Sequence, residues 1–181
     1  VGLEHKMEKG YKGLVLVYTG TGKGKTTASL GVALRASGQG LHTIILQFIK
    51  TSCNYGELKS IQCLDNVEIY PLGLGFIENH GSMKEHAIKA REAWEKAKET
   101  VYSDKYEIVI LDEINMAIQY GFVSVEEVIE LLNNRPRRLH VILTGRFAPP
   151  EIIGMADTVT EMCEIKHHYR QGVGARKGIE F

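Results

Sequence analysis

The chain has almost no net charge to offer. Its 22 basic and 22 acidic residues cancel to a formal charge of zero, so no global field draws it to nucleic acid or to an anionic membrane, and anion binding has to be local. Cysteine is scarce and unpatterned. Cys53, Cys63 and Cys163 are odd in number and widely separated, which excludes a disulfide scaffold and a metal-type cysteine cluster and points to free thiols in a reducing cytoplasm. No apolar run is long enough to span a bilayer, and nothing near the start resembles a signal peptide. Repeats and low-complexity tracts are also missing. With 44% hydrophobic residues over 181 positions, the chain can bury a core without staples. It reads as a single α/β domain over 13–181, preceded by a polar arm or lid over 1–12.

What the chain does have is concentrated near its beginning. The apolar run Leu14 to Tyr18 leads into Thr19-Gly-Thr-Gly-Lys-Gly-Lys-Thr-Thr27. That is a strand, a glycine-rich loop and a helix start, the order a P-loop requires. Glycine lets the loop turn its N–H groups inward, and the helix N-terminus adds partial positive charge. Gly20, Thr21, Gly22, Lys23, Gly24, Lys25, Thr26 and Thr27 are the candidate triphosphate contacts. Lys25 is placed to reach the terminal phosphates, and the Thr26 hydroxyl to ligate Mg2+. The usual pattern starts with glycine where this chain has Thr19. A Rossmann-type dinucleotide loop is the competing reading, but it needs a third glycine where Lys25 stands and an acid about twenty residues on, where Gln47, Phe48 and Lys50 stand instead.

Further apolar runs predict parallel strands at Thr43–Ile49, Val67–Tyr70, Ile108–Leu111, Val141–Thr144 and Thr158–Met162. Helical patterns lie between them. One covers 25–37 and stops at Gly38 as a C-cap. A second, over 82–102, opens with the Ser82/Glu85 capping box and carries Met83, Ala87, Ala90, Trp94, Ala97 and Val101 on one stripe. A third starts at the Ser124/Glu127 box, carries Val125, Val128, Ile129 and Leu132, and ends at Asn133, Asn134 and Pro136. Strands alternating with helices predict a parallel sheet covered on both faces.

Ile108-Val-Ile-Leu-Asp112-Glu113 has the form of a Walker B strand, its acids at the carboxyl end of a strand neighbouring the loop and available to Mg2+, with the closer ligand of the two left open. Arg146, after Val141-Ile-Leu-Thr-Gly, reaches the same edge and is either a triphosphate contact or a surface arginine. Lys50 can face phosphate or a second substrate. Phe76, on the glycine-spaced loop Gly73 to Gly81, is either an exposed platform for a flat ligand or part of an ordinary turn. The basic residues Lys166, His167, His168, Arg170, Arg176 and Lys177 can meet anionic groups or form a solvated tail.

Together these segments resemble the P-loop family of ATP:corrinoid adenosyltransferases of the cobalamin-biosynthetic type. The resemblance rests on the phosphate loop with Thr19, Gln47-Phe-Ile-Lys50, Leu111-Asp-Glu113, Asn134-Arg-Pro136, Val141 to Arg146, Ala156-Asp-Thr-Val-Thr-Glu161, and Lys166-His167 with Lys177-Gly-Ile-Glu180. It implies a RecA-like fold, a homodimer, and transfer of the 5′-deoxyadenosyl group of MgATP to the reduced cobalt of a corrinoid, with triphosphate leaving intact and a reducing flavoprotein as a candidate electron source. It also implies that Gly20 to Thr27 bind triphosphate, that Thr26 and Glu113 with Asp112 hold Mg2+, and that Arg35 acts near the nucleotide of a partner subunit. Phe76 stands at the corrin-facing aromatic. Two positions on, where some members have tryptophan, this chain has Glu78. A small-molecule kinase and a nucleotide-dependent switch ATPase are the competing classes. The absence of arginine between Arg35 and Arg91 weighs against a nucleotide acceptor, and zero net charge against nucleic acid.

Overall fold

Five- and four-residue strands with branched apolar side chains cannot stand alone; they gain stability only as a sheet whose two faces are both covered. The computed structural model describes residues 11–51, 55–75 and 82–181 and shows such a sheet. In chain order the elements are β1 (Val15–Thr19), α1 (Lys25–Gly38), β2 (Thr43–Gln47), α2 (Gly56–Ile61), β3 (Val67–Pro71), α3 (Met83–Tyr102), β4 (Ile108–Asp112), α4 (Ile114–Gln119), α5 (Val125–Asn134), β5 (His140–Thr144), α6 (Pro150–Met155) and β6 (Thr158–Glu161), followed by a 3-10 turn at His168–Gln171. The six strands are ordered β3-β2-β4-β5-β1-β6, and every pairing is parallel.

Side-chain alternation along each strand divides the core into two layers. Val15, Val17, Leu46, Leu111 and Leu143 face Trp94, Ala97, Leu131 and Ile152 of the later helices. Ile45, Ile110 and Ile142, one residue out of phase, face Ala33, Ala36 and Ile61 of α1 and α2. A one-residue slip in register would exchange the layers, so the apolar pattern and the pairing enforce each other.

Several expectations are refined. β2 ends at Gln47 instead of Ile49, although Phe48 and Ile49 remain buried. Gly38 is still helical; the cap is Gln39, and the left-handed residue is Gly40, at φ 75°. Both capping boxes form, at Ser82/Glu85 and Ser124/Glu127. Of the α3 stripe, Met83 is half exposed at the first turn, while His86, Ala93 and Thr100 join Ala90, Trp94, Ala97 and Val101 inside.

One expectation is overturned. The strand bearing Asp112 does not neighbour the phosphate-loop strand: β5 lies between β4 and β1. The physical reason is reach. Thr26, the second residue of α1, meets the Asp112 carboxyl across the intervening strand, 2.9 Å away.

Candidate active site

The parallel sheet brings the carboxyl ends of β1, β2, β4 and β5 to one edge, the edge at which open α/β sheets bind ligands. The loop leaving β1 is built on glycines. Gly20 (φ 94°) and Gly24 (φ 113°) take backbone angles that L side chains rarely adopt. At Gly22 a Cβ would stand 2.7 Å from the Met162 carbonyl oxygen, the same oxygen that accepts the Gly22 N–H at 2.6 Å. The segment after β6 thus holds the loop from behind. Helix α1 begins with Gly24 as its cap, has no side-chain cap and no acid in its first turn, so its leading N–H groups and positive dipole end remain for an anion.

Lys25 is buried and its Nζ donates to the carbonyls of Gly20 (2.8 Å) and Gly22 (2.7 Å). Burial pulls its pKa below the usual lysine value; Glu113 and Asp112 oppose that pull, and Arg146 and Lys23 add to it. Asp112 has no exposed surface. Its Oδ1 accepts from the Thr26 hydroxyl (2.9 Å) and the Thr144 hydroxyl (2.7 Å), and its Oδ2 from the Gln47 amide (3.1 Å). Glu113 follows in the left-handed region (φ 62°), with its N–H donated to Thr144 Oγ1 at 2.9 Å. Its side chain approaches Gly145, where a Cβ would come within 3.1 Å of Oε2. Desolvation, reinforced by Asp112, pushes the Glu113 carboxyl up to about 7.

Lys25, Thr26 and Glu113 line a cleft of about 900 Å3, which also takes in Lys50, Glu57, Arg146, Tyr169 and residues 178–181. Its volume matches that of a nucleotide-sized ligand site. Lys50 is tied to Glu57 at 2.6 Å and lies over the Tyr55 ring. The structure therefore gathers Thr21 to Thr27, Glu113 and Arg146 about one cleft, with Gly20 at its root and Asp112 buried beneath it. Arg35 is not among them. It is exposed in the last turn of α1, ten residues and about 15 Å along the axis from Lys25. Phe76 and Glu78 lie outside the described residues, as do Cys53 and the arm up to residue 10. Gly73 and Gly75, which begin that loop, are pinned against the turn after β2: their N–H groups donate to Lys50 O (2.9 Å) and Ile49 O (2.8 Å).

Four participants had no role assigned from the sequence, although Gln47, Thr144 and Glu180 stand in the motifs that carry the resemblance. Thr144 and Gln47 hold Asp112, Met162 holds the loop, and Glu180 meets the loop's Lys23 at 2.9 Å and His168 at 2.9 Å. Those contacts, Lys23 first and the Arg176 N–H next, hold the Glu180 carboxyl down at about 2. Of the basic tail residues His167 lines the cleft, and beyond them residues 178–181 form one of its walls. Thr144 and Gln47 did leave a signal, since each is a polar residue at the end of an otherwise apolar strand.

The donor set at the foot of the loop consists of hard oxygens, the Thr26 hydroxyl and two carboxylates. Among the described residues no group of three His, Cys, Asp or Glu side chains forms a self-sufficient metal cage. One hydroxyl and one or two carboxylates suit a Mg2+ that keeps waters and arrives with phosphate oxygens.

Comparison with known proteins gives the family. The family described as ATP:corrinoid adenosyltransferase BtuR/CobO/CobP matches residues 11–181. The chain belongs to that family. A corrinoid adenosyltransferase from Sinorhizobium sp. is 42% identical over 173 residues, covering 94% of this chain and 81% of the relative. Corrinoid adenosyltransferases from Pseudomonas aeruginosa and Escherichia coli K12 are each 36% identical, covering 94% of this chain and 84% and 86% of theirs. This family member is therefore an enzyme with a nucleotide substrate, and no helix among its described residues is long and apolar enough to cross a membrane.

The raised pKa of Glu113 gives a testable sign. Between the ordinary glutamate value and about 7, the folded chain holds a proton that the unfolded chain has released, so this residue makes stability fall as pH rises through that window. Glu113→Gln should remove that component. Urea unfolding of both proteins at pH 5 and pH 8 checks it, with the variant gaining stability relative to the parent at pH 8. Equal differences at both pH values would contradict the assignment.

Proposed function

We propose that the chain transfers the 5′-deoxyadenosyl group of MgATP to the reduced cobalt of a corrinoid, breaking the C5′–O bond and forming a cobalt–carbon bond. Cobalt supplies the electron pair, and triphosphate departs intact with the C5′–O pair. Support comes from one conjunction: in a member of the ATP:corrinoid adenosyltransferase family, Lys25 and the leading N–H groups of α1 stand at a cleft whose floor ties Thr26 to Asp112 at 2.9 Å.

Because low-valent cobalt is itself a strong nucleophile, the chain needs no base to activate it. Its residues bind, orient and take up charge. Gly20 to Thr27 hold the triphosphate, and Lys25, aided by Arg146, neutralises the charge that grows on it as the C5′–O bond breaks. Thr26, Asp112 and Glu113 would hold Mg2+, with Thr144 and Gln47 orienting Asp112. When bound, that ion screens the leaving group's charge. Arg35, exposed and away from its own cleft, acts from one subunit of a homodimer toward the nucleotide of the other. Phe76 serves as the corrin-facing aromatic, a role that rests on the family resemblance alone, and Glu78, where some members have tryptophan, leaves open which residue displaces the lower axial ligand. A reducing flavoprotein in the cytoplasm supplies the electrons.

An anaerobic assay with MgATP and chemically reduced cob(I)alamin tests the whole reading. A light-sensitive cobalt–carbon product should form with one triphosphate per turnover, and Lys25→Ala should slow it about a hundredfold or more while the fold survives. A static corrinoid spectrum with ADP appearing would favour a kinase instead. Phe76→Ala should keep ATP affinity and lose adenosylation; an unchanged rate would remove Phe76 from the site.

A further inference from the structure

Residues 164–181 leave β6 beside the phosphate loop and come back to it. Little apolar burial holds them there: Ile165 is 96% exposed, and Tyr169 and Ile179 are each 71% exposed. Their tie to the loop is polar and centred on Glu180. One carboxylate oxygen meets Lys23 Nζ at 2.9 Å and His168 Nε2 at 2.9 Å, and the other accepts the Arg176 N–H at 2.6 Å. Glu180 is largely covered, at 16% side-chain exposure, against 44% for Lys23.

Among the described residues, three acids line the cleft. Glu57 is engaged by Lys50 at 2.6 Å, and Glu113 sits beside the metal-binding oxygens. Among the described residues, Glu180 alone forms a salt bridge with a lysine of the phosphate loop itself. A triphosphate in that loop brings several negative charges to the same ammonium, and a carboxylate left within a few ångströms of them is repelled.

We propose that Glu180 is an affinity-setting residue that competes with triphosphate for Lys23, holding the lysine until phosphate draws it away and reclaiming it as the leaving group departs. It rests on the function proposed above and adds to it a means of limiting how tightly a highly charged product is kept. Low retention matters for this reaction, because intact triphosphate offers the loop at least as much charge as the ATP from which it came.

The test is calorimetric titration of the full chain with MgATP and with magnesium tripolyphosphate, in the parent protein, Glu180→Gln, Lys23→Met and the double variant. Glu180→Gln should tighten tripolyphosphate binding about fivefold, and the gain should largely vanish in the Lys23→Met background. Unchanged or weaker binding by Glu180→Gln overturns the proposal, because Glu180 would then be neutral or helpful to the ligand. An equal gain in both backgrounds also overturns it, since that is general repulsion and not competition for Lys23. Failure of the parent chain to bind either ligand would contradict the proposed function, whereas normal parent binding with a silent Glu180→Gln would contradict this inference alone.

Discussion

A carboxyl group with no exposed surface has to be surrounded by donors, and at Asp112 that requirement organises the molecule. Its three side-chain donors come from three different elements: Thr26 from α1, Thr144 from β5 and Gln47 from β2. Removing Gln47 would strip Oδ2 of its side-chain donor, a cost of about 1–3 kcal/mol, whereas Thr26 and Thr144 share Oδ1. The same three contacts set the relation of the phosphate loop to the sheet. Strand order supplies the rest, since β5 lies between the loop strand and the Asp112 strand and brings Thr144 to the gap between them.

Binding and chemistry share this arrangement without needing an elaborate catalytic apparatus. The glycine loop and the unblocked start of α1 provide oriented donors, and Lys25 is already folded into the loop through the Gly20 and Gly22 carbonyls. Preorganised donors of this kind act on developing charge without the reorganisation that water would require. On the outer side, Lys50 and Glu57 pair with each other, while Lys23 and Glu180 pair across the loop. The cleft thus carries its positive charge already partly countered, which suits a site that must release what it binds.

Legibility from sequence followed the range of the interactions. The phosphate loop, both capping boxes and the strand before Asp112 are local patterns, and each was readable because glycine spacing, Ser-x-x-Glu and apolar runs act on neighbouring residues. The strand order was not, and so the position of β5 went unseen; nothing in the run before Asp112 distinguishes an adjacent strand from one a step away. Short helices such as α2, α4 and α6, six residues each, offer too few turns for a periodic signal. Thr144, Met162 and Glu180 join the site through contacts with residues far away in sequence, and only folding brings those together.

The most direct test of this account is metal binding at Asp112, read by electron paramagnetic resonance with Mn2+ in place of Mg2+. The parent chain should bind Mn2+ together with ATP, and Asp112→Asn should weaken that binding about tenfold or more while the protein keeps its fold. Undiminished nucleotide-dependent Mn2+ binding in the variant would contradict the account, because the buried carboxyl would then serve the architecture and not the metal.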